Sequence, residues 1–493
     1  MQKHILSIDQ STSATKAILF DSKAQVVARM SKEHKQFYPR PGWVEHDPDE
    51  ILTNTFRIIN EICNSNKIIN IESLAITNQR ETVVVWDITT GKPVYNAIVW
   101  QCNRGADRCR RLMEDGWGKA IQDKTGLIID PYFSATGICW ILDNVPGARE
   151  KAEKGLLRFG TTDSWLIWNL TNGKVHATDY TNACRTMLFN INNLSWDNEI
   201  MDELGIPVIM APEVKYSDDL FGSTTAGGAF KVPIPVSGVL GDSHAALFGQ
   251  LCLTPGMAKA TYGTGSSIMM NIGDKPLESP EGLVTSIGYG VDKSIAYVFE
   301  GNIHYTGATI KWLQDDLQLI KDAGETEILA TSVDSTEGVY LVPAFTGLGA
   351  PYWDNEARAI ICGMSRGTKK AHVVRSALEA IAYQVKDLVD LMISQAGIEL
   401  KELKVDGGAT RNEFLMQFQT DIIKTKVVRS DIEEISALGS AFAAGLATGI
   451  WKDIEEIKRL YVTGKIYSGQ MTDDEIDSLY HGWKIAVNRT QFK

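Results

Sequence analysis

Apolar and polar positions alternate from the first residues of the chain. HILSID (4–9) reads as a strand, residues 11–15 as a small polar turn, and KAILFD (16–21) as a returning strand. AQVVARMS (24–31) extends the pattern to the opening of an antiparallel meander. A helix is predicted from DPDE (47–50), with Asp47 as its cap and Pro48 in its first turn. Leu52, Phe56, Ile59 and Cys63 then recur at helical spacing and predict its apolar face. IESLAIT (71–77), the polar loop NQRE (78–81) and TVVVWD (82–87) follow as strand, loop and strand, closed by the turn TTGK (89–92).

The second half repeats the opening. AKATYGTGSSIMMNI (258–272) again sets a Gly, Ser and Thr turn between two apolar runs. Val374, Leu378, Ile381, Val385, Leu388 and Met392 predict a long helix over 372–396, and residues 402–418 read as strand, double-glycine turn and helix. Residues 435–451 are apolar but short of the ~18 needed to span a bilayer. Their Gly and Ala content predicts a closely packed buried helix. The expectation is an α/β protein of two domains, 1–250 and 251–493.

Charge narrows the partners. With 49 basic and 61 acidic side chains the net charge is −12, which disfavours nucleic acid and anionic membrane surfaces. Seven scattered cysteines without a C-x-x-C pair give no zinc or thiol-redox motif and suit a reducing compartment. The apolar run at the N-terminus is too short for a signal peptide, so a cytoplasmic location is expected.

Neither G-x-x-x-x-G-K-[ST] nor G-x-G-x-x-G occurs, so no P-loop or dinucleotide fingerprint can be argued. The small-residue turns after residue 10 and at TYGTG (261–265) offer hydroxyls and backbone N–H groups that could cradle phosphate. Either alone reads more readily as an ordinary hairpin. Asp9 and Asp242 each end an apolar run, where a carboxylate suits a hydrated Mg²⁺ or a proton acceptor. Asp9 has a plainer reading as a turn cap. Arg80–Glu81 reads as a solvated pair and Trp100 as a core residue, if taken alone.

Eight collinear blocks change that reading. YPRPGWVEHDP (38–48), TNQRE (77–81), NAIVWQC (96–102), IDPYFS (129–134), TDYTNACRTMLFNI (178–191), GDSHAALFGQ (241–250), VPAFTGLGAPYWD (342–354) and VDGGATRNEFLMQFQ (405–419) closely resemble the FGGY carbohydrate kinases. The resemblance implies two ribonuclease-H/actin-like domains with ATP and a polyol meeting in the cleft between them. It implies Mg²⁺ held through Asp9 and Asp242, with Asp242 the base that takes the substrate's proton. Arg80, Glu81, Trp100, Tyr132, Asp242, Ser243 and Ser267 match polyol positions. Thr12, Ser13, Ala14 and Lys16 match the phosphate turn, and Thr264, Gly307, Lys311, Gly408 and Asn412 match the nucleotide side.

Several cleft positions depart from the family. Ser243 and His244 replace a Gln pair, Ser267 an aromatic residue, Ser11 a glycine, Lys311 a Gln and Gly137 a Lys. The expected activity is ATP-dependent phosphorylation of a small polyol, glycerol by default. A larger polyol or ketose (a tetritol, erythrulose or xylulose) is the alternative, and a nucleotide-switch ATPase of the same fold stands behind it. The assembly state stays open between homodimer and homotetramer.

Overall fold

A computed structural model describes residues 3–65, 70–352, 354 and 356–491. Two sheets with the same internal order dominate it. In the first, Leu220–Thr224, Ile234–Gly241, Ile71–Asn78, His4–Gln10, Ala14–Asp21 and Val26–Glu33 lie side by side. The last three form the expected antiparallel meander, and Ile71–Asn78 and Ile234–Gly241 join it in parallel. In the second, Ser294–Ile303, Ser266–Gly273 and Met257–Tyr262 make the meander, and Glu402–Asp406 and Val427–Arg429 add in parallel. Val284–Val291 extends the second sheet at its outer edge.

The helices follow the local signals with one correction. Asp47 Oδ1 accepts from the Asp49 N–H at 2.9 Å, and the helix runs Pro48–Ser65. Its buried centre is Ile51, Ile58, Ile59 and Ile62, whereas Leu52, Phe56 and Cys63 are only half-buried. The spacing was right but the stripe lies one position earlier, because the helix turns its isoleucines onto the twisted sheet. The helix Lys370–Ala396 buries all six residues named for it.

Residues 435–448 do form a buried helix, and it packs against the first sheet. There it crosses the helix Asp242–Gly249. A Cβ on Gly439 would lie 1.9 Å from the Ala245 carbonyl oxygen, so only glycine lets the two backbones meet. The crossing ties the second half of the chain to the strand that carries Asp9 and to the one that ends in Gly241. All seven cysteines are free, and no helix among the described residues is long and apolar enough to cross a membrane.

Candidate active site

The candidate site is built from three groups of residues, of which the first two touch through Trp100 and Thr12. The first surrounds Arg80. The strand Ile71–Asn78 ends in NQRE, and Glu81 takes a φ of +63°, a conformation that a non-glycine residue holds only when its surroundings enforce it. Ser134 Oγ donates to the Glu81 carbonyl at 2.7 Å and helps to enforce it. Both side chains are buried, contrary to the solvated-pair reading. Arg80 Nε lies 3.9 Å from Glu81 Oε1 and 3.5 Å from Asp242 Oδ1.

Asp242 opens the helix Asp242–Gly249 and is half-buried at the cleft. Burial raises its proton affinity, while Arg80 and the Ser243 N–H, 2.6 Å from Oδ1, pull the other way. Burial wins, so Asp242 is a stronger base than an exposed carboxylate. Trp100 and Tyr132 meet edge to face with ring centroids 5.5 Å apart. Ser267 sits on Ser266–Gly273 opposite Thr261 and Asn302, and its buried Oγ has no hydrogen-bond partner.

The second group is the turn after His4–Gln10. Ser11 Oγ donates to the Ala14 carbonyl at 2.9 Å and also accepts from the Ala14 N–H at 3.3 Å. That engages the Ala14 backbone within the turn, rather than leaving it open to a phosphate. Thr12 is half-exposed and Ser13 exposed. Its carbonyl oxygen held by His34 and Gln36, Thr12 accepts at Oγ1 from the Trp100 indole N–H at 3.0 Å. Lys16 reaches back 3.7 Å from Asp9 and 3.1 Å from Glu434, so it is already paired on both sides. Burial pushes the Asp9 carboxyl up to about 7, opposed by Lys16 and reinforced by Asp242.

The third group is a cavity of about 960 Å³ in the second domain. Thr264, Gly307, Lys311, Gly408 and Asn412 all line it, with Trp312, Leu378, Ile381 and Leu415 as apolar walls. Asn412 caps the helix Glu413–Ile422 and also donates to Thr326 Oγ1 at 3.0 Å. A Cβ on Gly307 would lie 2.7 Å from the Gly263 carbonyl oxygen, so the TYGTG turn and the next helix touch.

Residues 4–249 match the N-terminal domain and residues 258–448 the C-terminal domain of the FGGY family of carbohydrate kinases. This chain belongs to that family. Among FGGY kinases, it is 52% identical to the glycerol kinase of Petrotoga mobilis over 493 residues, covering 100% of this chain and 99% of that one. It is 52% identical to glycerol kinase 2 of Thermotoga maritima over 490 residues, covering 99% of each. A crystal structure of Plasmodium falciparum glycerol kinase with ADP superposes with a TM-score of 0.96 at 38% identity, covering 100% and 99% of the two chains. The xylulose kinase of Lactobacillus acidophilus shares the fold, with a TM-score of 0.87 at 21% identity and coverage of 99% and 98%. The two sheets are thus the paired actin-like domains of an FGGY kinase.

Sequence reasoning missed two members of the site. Arg185 is fully buried, its Nε 2.6 Å from Glu81 Oε1. Glu300 faces it from the second sheet with Nη1–Oε2 at 2.9 Å. Each is the lone charge in an apolar run, ACRTMLF and AYVFEG. A charge with no local reason to be buried was the signal available.

Proposed function

We propose that this FGGY kinase transfers the γ-phosphoryl group of ATP to glycerol, giving sn-glycerol 3-phosphate and ADP. One observation carries the reading. Trp100, which lines a small pocket together with Glu81 and Tyr132, hydrogen-bonds Thr12 of the phosphate turn, so acceptor and donor sites are contiguous. Similarity to glycerol kinases over the full chain points to glycerol within the family's range.

In this reading Arg80 donates to a glycerol hydroxyl, Glu81 and Tyr132 orient the others, and Trp100 packs on the carbon chain. Asp242 accepts the proton of the attacking hydroxyl. A new O–P bond forms to the γ-phosphorus as the bridging P–O bond to the β-phosphate breaks, and ADP leaves. The transition state is loose, so positioning and charge stabilisation supply most of the rate. Thr12, Ser13 and the TYGTG turn at Thr264 grip the phosphates, while Gly307, Lys311, Gly408 and Asn412 hold the nucleotide.

Asp9 and Asp242 fit a hydrated Mg²⁺: they are hard oxygen donors, burial raises the proton affinity of both, and the charge of Asp242 raises that of Asp9 further. Among the described residues no group of three or more His, Cys, Asp or Glu could hold a metal alone, so phosphate and water oxygens would complete its shell. When bound, the ion supplies charge neutralisation on the phosphates. The same reading divides the domains at residues 250 and 251 and places a homodimer or homotetramer in the cytoplasm.

The partnerless Ser267 hydroxyl, with a second serine at position 243, favours a longer polyol as a second substrate. A coupled ADP-release assay over glycerol, erythritol, threitol, erythrulose and xylulose tests both readings. The highest kcat/KM is expected for glycerol, with a tetritol within about tenfold. ADP release indifferent to added polyol would instead indicate a nucleotide switch. Glycerol ahead by far more than tenfold, with no gain in Ser243→Gln/Ser267→Phe, would remove the longer substrate.

A further inference from the structure

Arg80 is gripped from across the seam between the domains. Its Nη2 and Nη1 donate to Glu300 Oε1 and Oε2 at 2.8 and 3.0 Å, a two-pronged contact. Glu300 Oε2 also lies 2.9 Å from Arg185 Nη1, and Arg185 Nε lies 2.6 Å from Glu81 Oε1. Arg185 Nη1 donates further to Ser286 Oγ at 2.8 Å. The four side chains make an alternating ring of two cations and two anions, all at most 5% exposed.

The ring crosses between domains. Arg80 and Glu81 extend from the first sheet, and Arg185 follows the short helix Tyr180–Ala183 beside it. Glu300 stands in the middle of Ser294–Ile303, paired with Met269 on one side and Val284 on the other. A residue paired on both flanks is held by a rigid element rather than a loop.

We propose that Glu300, from the nucleotide-binding half of the chain, is a positioning residue for the polyol site: it fixes Arg80 and Arg185 so that glycerol affinity depends on how the two domains are set. This rests on the reading of the cleft as a glycerol site. Removing the Glu300 charge frees Arg80 to turn toward its other anions, Asp242 at 3.5 Å and Glu81 at 3.9 Å. Both groups are needed for the substrate hydroxyls, and an arginine clamped on them would take their place in the pocket. The nucleotide cavity is lined by none of the four ring residues, so ADP binding should not change.

The test is calorimetric titration of the full chain with glycerol and, separately, with ADP. In Glu300→Gln the glycerol Kd is expected to rise at least tenfold, while the ADP Kd stays within twofold. A glycerol Kd within twofold of wild type overturns the proposal, even if the thermal midpoint drops, because that pattern marks a structural brace alone. Glu300→Asp keeps the charge but withdraws it by one methylene, and an intermediate loss of glycerol affinity with unchanged ADP affinity is expected. If the Gln variant does not fold, the Asp variant decides by the same twofold criterion. Wild-type protein that neither binds nor phosphorylates glycerol would fail the functional reading itself, which is a different result.

Discussion

Trp100 serves two neighbours at once. Its ring meets Tyr132 edge to face, and its N–H donates to Thr12 Oγ1. Because an indole nitrogen can only donate, the Thr12 oxygen must accept there, and its own proton is left for another acceptor such as a phosphate oxygen. In Trp100→Ala the KM for glycerol is expected to rise about tenfold or more, with a smaller rise for ATP. Steady-state kinetics for both substrates checks this. A core tryptophan would instead lose ~3–5 kcal/mol of stability with substrate affinities unchanged. The residue scale is also where local pattern misleads. NQRE looks solvated because its charges have no nearby partner in sequence, yet the carboxylate that holds Arg80 lies 220 residues away. Family resemblance put forward Arg80 and Glu81 as candidate site residues but passed over Arg185 and Glu300, the charges that contact them.

At the level of elements, the crossing of Asp242–Gly249 with Ile435–Thr448 sets where the proposed base sits. Ser7 and Ser440 share a hydrogen bond of 2.7 Å under the crossing, linking it to the strand that carries Asp9. The small-residue content of 435–451 was enough to predict a tightly packed helix. Its partner was not legible, because contact between helices nearly 200 residues apart leaves no local period. Gly439→Ala places a methyl against a backbone carbonyl that cannot move aside, an overpacking worth roughly 1–3 kcal/mol. A lower urea midpoint is expected, together with reduced kcat, since the helix bearing Asp242 must shift. Denaturation and turnover measured on the same variant check both. The Pro48–Ser65 helix shows the milder form of misreading: its period was legible, but its exact facing depended on the twist of the sheet beneath it.

Across the whole molecule, two sheets of like order recur, with hydroxyl-rich turns at 11–15 and 261–265 in equivalent places. That duplication was readable because each half begins with the same strand, polar turn and strand. The cavity of about 960 Å³ was not, since its walls come from the TYGTG turn, from Gly307–Asp315, from Lys370–Ala396 and from the double-glycine segment. On the proposed reading, a hydroxyl held by the first domain meets a phosphate held between both, next to Asp242. The most direct test of that claim is Asp242→Asn, nearly isosteric and still able to hydrogen-bond a hydroxyl but unable to take its proton. Turnover of glycerol with saturating ATP is expected to fall ~10²–10⁴-fold while the ATP Kd and thermal midpoint stay close to wild type. An Asn variant that keeps more than about a tenth of wild-type turnover would contradict the assignment of Asp242 as the proton acceptor.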